Sequence, residues 1–149
     1  EVPLHFFWDK QDEAEVCKVD GTLSFHQIDD MKFLHYMAGC RAYATTAGFE
    51  SVCEAMYLGK PLLMVPAHIE QDCNAYDAAR TGAGVVSDEF DLRRLLNFSE
   101  NYKPDAHFRY WVQSCDRRIM HHIEAAMCLS YYPSPVFPYS YCNMSDMVL

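Results

Sequence analysis

Residues 45–75 read TTAGFESVCEAMYLGKPLLMVPAHIEQDCNA. Gly48, Ser51 and Glu54 punctuate the first half of this stretch, and Glu70, Gln71 and Asn74 the second. Gly48 has no Cβ, so backbone there can come close to a ligand. A helix beginning near Phe49–Ser51 presents unpaired N–H groups and the positive end of its dipole, which suits a phosphate. The Ser51 hydroxyl adds a donor. Glu54, one turn on, shares a flank with Ser51, and a carboxylate there can accept two hydrogen bonds from a ribose diol. Glu70 and Gln71 offer acceptors and donors that suit sugar hydroxyls, and Asn74, one turn past Gln71, can add to them.

Each feature alone has a plainer reading. Ser51-x-x-Glu54 has the spacing of a capping box, in which both side chains satisfy the helix's own first amides. Glu70-Gln71 is an ordinary helix start, and Gly48 and Gly59 are ordinary turn residues. Their conjunction, threaded in this order through two apolar blocks, favours a ligand.

Residues 47–85, AGFESVCEAMYLGKPLLMVPAHIEQDCNAYDAARTGAGV, resemble the C-terminal, donor-binding domain of two-Rossmann-domain (GT-B) glycosyltransferases. The likeness is to the nucleotide-sugar groups that include the bacterial lipid-intermediate GlcNAc transferases and the plant and animal UDP-glycosyltransferases. Their pattern runs roughly H-x-G-x-x-S-x-x-E-A, G-x-P, a strand, P, an acidic residue with Gln, N-A and G-x-G. This chain carries Gly48, Ser51, Glu54-Ala55, Gly59, Pro61, Pro66, Glu70-Gln71, Asn74-Ala75 and Gly82-Ala83-Gly84 in that order. Looser similarity covers FHQIDDMKFLHYMAGCRAYATT, residues 25–46. The resemblance implies that Gly48, Phe49, Glu50 and Ser51 surround the donor diphosphate, with Glu54 on the ribose. Glu70 and Gln71, helped by Asn74, then take the donor sugar, and His26, Gln27 and Ile28 lie near the base, partly through backbone groups. The substrate is a nucleoside-diphosphate sugar, a UDP-sugar first among them, with no cofactor. The catalytic base belongs to an N-terminal acceptor domain outside this sequence or to a partner chain. The first strand and helix of the donor domain are expected to be missing as well.

Two positions depart from the pattern. Its histidine falls on Thr46, which can donate one hydrogen bond but carries no charge. The residue before the serine, often Asn, is Glu50, and a carboxylate several ångströms from a diphosphate is repulsive by about 1 kcal/mol or more. The chemistry implied is transfer of a sugar to an acceptor hydroxyl with inversion. Rival expectations are a non-catalytic donor-binding subunit that needs a partner chain, a nucleotide-sugar epimerase of the same architecture, and an interaction module in which Ser51 and Glu54 are caps.

The elements that must position these residues follow from periodicity. Residues 3–8, 22–27, 40–46, 61–65 and 84–87 read as strands, with PLLMV an unbroken apolar run of the kind buried on both faces of a parallel sheet. Helices fall between them: one capped by Asp29 or Asp30 with Met31, Leu34 and Met37 or Ala38 inward, one closed by Gly59, and one from Ile69 to Arg80. The acidic segment 9–21 reads as a loop. Two more helices follow, the second long, with Phe108, Trp111, Val112, Cys115, Ile119 and Ile123 as a core stripe. Alternating strands and helices predict a Rossmann-like α/β domain over 1–130, a parallel sheet with helices on both faces. Residues 131–149 are rich in Pro and aromatics and read as an irregular tail. In such sheets ligands sit beyond the C-terminal strand ends, and the loops TTAGFES and PAHIEQ emerge there.

The 149 residues suit one domain, and the beginning at Glu1 suits a piece of a larger enzyme. A net charge of -9 repels polyanions, and no basic patch offsets it, which argues against nucleic acid as a partner. The seven cysteines form no C-x-x-C pair, and read as buried thiols of a reducing, cytoplasmic setting. The histidines lack metal-ligand spacing. No apolar run reaches the roughly 20 residues of a membrane span.

Overall fold

The computed structural model describes residues 2–10 and 14–131, the side chains of 129–131 excepted. The tail expected over 131–149, Cys142 included, therefore lies outside the described residues apart from Tyr131. The elements run β1 (Leu4–Trp8), β2 (Val16–Lys18), β3 (Leu23–Gln27), α1 (Asp30–Gly39), β4 (Tyr43–Thr45), α2 (Phe49–Tyr57), β5 (Leu62–Met64), α3 (Ile69–Arg80), β6 (Gly84–Val86), α4 (Leu92–Asn101), α5 (Ala106–Gln113) and α6 (Cys115–Tyr131). The α/β class and the order of elements agree with the periodicity. The fold is Rossmann-like.

The strands form two three-stranded sheets, ordered β1-β3-β2 and β4-β5-β6. β1 pairs parallel with β3, and β4, β5 and β6 are all parallel. β2 runs antiparallel to β3. This short strand lies inside the acidic segment expected to be a loop, because only three residues, Val16, Cys17 and Lys18, extend and pair. Helix α1 reaches both sheets: the Phe33 ring meets Phe7 of β1 at 5.2 Å and Tyr43 of β4 at 5.8 Å.

The apolar run behaves as its composition dictates. Leu62, Leu63 and Met64 are 0 % exposed. Leu62 and Met64 share one face and pack with Val52 and Ala55 of α2, Ala75 and Ala78 of α3, and Met37 of α1. Leu63 points to the other face, over which α4 lies with Leu95 buried. Helices thus cover both sides of β5. Gly84 of β6 permits this pairing. A Cβ there would stand 2.5 Å from both the Leu62 Cβ and the Leu62 carbonyl oxygen, far inside contact distance.

Four expectations need correction. In α1 Met37 is buried as expected and Phe33 packs beside it, while Met31 is 78 % exposed. Asp29 is the cap, accepting the Lys32 N–H at 2.7 Å, and that start rotates Met31 outward. The long C-terminal helix is two, interrupted at Ser114, whose hydroxyl donates to the Trp111 carbonyl. Its aromatic stripe is not core: Trp111, Val112, Ile119 and Ile123 are all exposed, and α5 buries no residue fully. Helical spacing reports one apolar face but not that a partner covers it. The six described cysteines are free thiols and none is fully buried; Cys73 and Cys128 are exposed.

Candidate functional site

The loop after β4 is built from Thr45 upward. Thr45 ends the strand 8 % exposed, and its Oγ1 accepts the Ala47 N–H at 3.2 Å. Ala47 is 0 % exposed and left-handed, with φ at 66°, a region a Cβ disfavours. That turn swings the chain into Gly48, the N-cap of α2. No side chain caps this helix. The capping-box reading of Ser51 and Glu54 is therefore overturned. The Ser51 hydroxyl instead donates to the Gly48 carbonyl at 3.2 Å and stands 3.3 Å from Thr45 Oγ1. Phe49 and Glu50 are exposed in the first turn. The start of α2 thus keeps its first amides free of side-chain acceptors, with the dipole's positive end facing out.

The loop after β5 meets this one. Gln71 lies in the first turn of α3; its Oε1 accepts the Ala67 N–H at 2.9 Å and its Nε2 reaches Thr46 Oγ1 at 3.4 Å. Asn74, a turn later, donates its Nδ2 to the Ala47 carbonyl at 3.0 Å and also to Glu70 Oε1. The opposite Glu70 oxygen is 3.8 Å from His68 Nδ1. Thr46, Gly48, Ser51, Glu70, Gln71 and Asn74 thus gather at the C-terminal ends of neighbouring parallel strands.

Glu54 lies deeper along α2 and is half-buried. Burial raises its pKa above the ordinary carboxylate value, and the nearby charges of Glu50 and Asp30 push in the same direction. Asp30 opens α1, after Gln27 ends β3 and Ile28 and Asp29 make the connection. Ile28 is 58 % exposed there, its N–H donated to the Trp8 carbonyl at 3.2 Å.

His26 is different. Its ring is 2 % exposed. Nε2 lies 3.0 Å from His5 Nδ1, Phe7 stacks on it at 4.9 Å, and Tyr36 lies at 4.8 Å. Burial lowers its pKa, with His5 and Lys32 acting in the same direction and Glu15 against them. The residue as a whole is buried and sits in the central strand of its sheet, opposite Phe7 and Val16, so the expected place of His26 beside the base is not met: this position offers a ligand no surface.

Thr45 and Ala47 escaped the sequence reading. Thr45 occupies an ordinary strand position, and its role appears only once the chain folds back over it. An alanine gives no local sign of a left-handed turn. Among the described residues no group of three or more His, Cys, Asp or Glu side chains is placed to hold a metal ion, and no helix is long and apolar enough to cross a membrane. A cavity of about 20 Å³ lies elsewhere, walled by Met56, Ala83, Tyr102 and Phe108.

Over 52 residues the chain is 35% identical to ugt-48 of Caenorhabditis elegans, a protein assigned as a UDP-glucuronosyltransferase; the match covers 35% of this chain and 10% of that protein. A solved structure, the glycotransferase of kitacinnamycin, superposes with a TM-score of 0.50 at 17% identity, covering 81% of this chain and 32% of the other. That likeness is one of fold. The chain thus spans a minor part of the length of each. The model of glycosyl transferase family 1 matches residues 7–102, most of the chain and the whole of the two-loop site. The chain belongs to glycosyl transferase family 1.

Proposed function

We propose that this domain is the donor-binding half of a glycosyltransferase that moves a sugar from a nucleoside-diphosphate sugar, a UDP-sugar first among candidates, to an acceptor hydroxyl with inversion. One observation carries the reading: the Gln71 amide touches Thr46 across two strand exits, beside a helix start with no side-chain cap. Family membership and the partial match to a UDP-glucuronosyltransferase support it.

The amides of α2 and the Ser51 and Thr46 hydroxyls face the diphosphate. As the glycosidic bond breaks, negative charge grows on the β-phosphate, and these fixed dipoles stabilise it without reorganising. To reach a phosphate oxygen the Ser51 proton turns away from the Gly48 carbonyl. Glu54 takes the ribose hydroxyls, the backbone around Gln27 and Ile28 meets the base, and Glu70 and Gln71 take the donor sugar. Glu50 is exposed, so its carboxylate can turn to water, which weakens its repulsion of the diphosphate. The base that activates the acceptor comes from the acceptor domain or a partner chain. Free thiols fit a reducing cytoplasm.

The test is calorimetric titration of the full-length protein with UDP-, dTDP-, GDP- and ADP-sugars, wild type against Ser51→Ala and Glu54→Ala. Binding of one nucleotide sugar, weakened in both variants, is the expected result. Failure of the wild type to bind any of them ends the proposal. The anomeric configuration of the product, read by NMR, tests inversion.

A further inference from the structure

Ala47 holds a conformation its own side chain disfavours, and both of its backbone polar groups are held by side chains from different elements. Thr45 of β4 accepts its N–H at 3.2 Å, and Asn74 of α3 donates to its carbonyl at 3.0 Å. The second N–H of the Asn74 amide goes to Glu70 Oε1, which fixes the orientation of that amide. Both Asn74 protons are therefore committed within the protein. If Ala47 returned to negative φ, the chain entering Gly48 would be redirected, and the first turn of α2 would point its amides elsewhere.

We propose that Asn74 is a positioning residue: with Thr45 it clamps Ala47 in the left-handed turn and so aims the start of α2 at the phosphate groups of the donor. This rests on the donor-binding reading for its consequence but not for its geometry. The clamp also joins the two loops, since Asn74 belongs to the helix that carries Glu70 and Gln71. A sugar bound to α3 and a diphosphate bound to α2 are thereby held in fixed relation. Preorganisation of this kind matters most where charge develops.

Ala47→Gly provides the discriminating test, because glycine adopts positive φ without steric cost. The full-length protein is titrated with whichever of UDP, dTDP, GDP and ADP the wild type binds best, and with its parent nucleoside. Asn74→Ala is expected to weaken the diphosphate about tenfold and the nucleoside by less than twofold. Adding Ala47→Gly to Asn74→Ala is expected to recover most of the loss. Should Asn74→Ala fail to fold, Asn74→Asp keeps the size, replaces the donor with an acceptor, and carries the same expectations. An equal loss for diphosphate and nucleoside, or a loss that Ala47→Gly leaves in place, overturns the proposal and makes Asn74 a ligand contact or a general stabiliser. Hydrogen exchange of the position-47 amide decides the geometry separately. Faster exchange in Asn74→Ala, slowed again by Ala47→Gly, supports the clamp even if no nucleotide binds, in which case only the donor reading falls. Unchanged exchange sinks the clamp.

Discussion

The Gln71 side chain bridges two loops: Nε2 lies 3.4 Å from Thr46 Oγ1 while Oε1 accepts the Ala67 N–H at 2.9 Å. Thr46 follows β4 and Ala67 follows β5, so one amide spans two strand exits. A side chain held at both ends has already given up much of its rotamer freedom, and binding costs it less further order.

Removing that amide separates sugar recognition from diphosphate recognition. Gln71→Ala is expected to weaken a nucleotide sugar about five- to tenfold, the worth of one neutral hydrogen bond. The free nucleoside diphosphate is expected to bind within about twofold of wild type. Calorimetry with both ligands on the full-length protein makes the comparison, and equal losses would remove Gln71 from the sugar.

Ser51 distinguishes a ligand contact from a structural cap. It caps no helix amide, so Ser51→Ala should cost about 1 kcal/mol of folding stability or less, read by urea unfolding. Diphosphate affinity is expected to fall several-fold. A large melting loss with unchanged affinity would make the hydroxyl purely structural.

Glu54 predicts a trade of stability against binding. Its folded pKa is raised, by burial first and then by Glu50 and Asp30. The folded state thus holds its proton more tightly than the unfolded chain. Stability at this site is therefore greatest below the ordinary carboxylate range and declines as pH rises through the raised value. Glu54→Gln is expected to raise Tm at pH 7, to lose that advantage near pH 4, and to weaken nucleotide binding. A lower Tm at pH 7 would show that the ionised carboxylate is stabilised by the fold.

His26 titrates with the opposite sense. Its folded pKa is lowered, burial being the main cause. Its contribution is present above the ordinary histidine value and is lost as pH falls from there through the lowered one. The protein should lose stability as pH falls below about 6.5, and His26→Phe, which keeps an aromatic ring beside Phe7 and Tyr36, should flatten that slope. Melting curves at pH 8, 6.5 and 5 are the check; an unchanged slope places the acid sensitivity elsewhere.

Gly84 tests the sheet itself. With a Cβ placed 2.5 Å from Leu62 backbone oxygen, Gly84→Ala forces β5 and β6 apart. The expected loss is at least about 2 kcal/mol, seen as a lower urea midpoint. Nothing flexible is available to yield, since both contacts lie at or next to the main chain. A midpoint within error of wild type would mean that the two strands are less tightly paired than described.

Amino-acid order alone determined the alternation of strands and helices, because apolar spacing reports which face of a segment avoids water. It also determined the two loops, since glycine and proline punctuate the chain locally: the Gly59 and Pro66 breaks, the α3 bounds and the buried LLM strand were all legible. Burial was less so. The spacing of Trp111, Ile119 and Ile123 is helical, yet spacing is blind to whether a partner covers the face. Tertiary structure alone decided the division into two sheets, the burial of the His26 ring and the left-handed turn at Ala47. It also decided that Ser51 serves no cap and that Asn74 reaches Ala47 across 27 positions. These depend on contacts between segments far apart in the chain, and each is settled only when the strands are paired and their exits brought together.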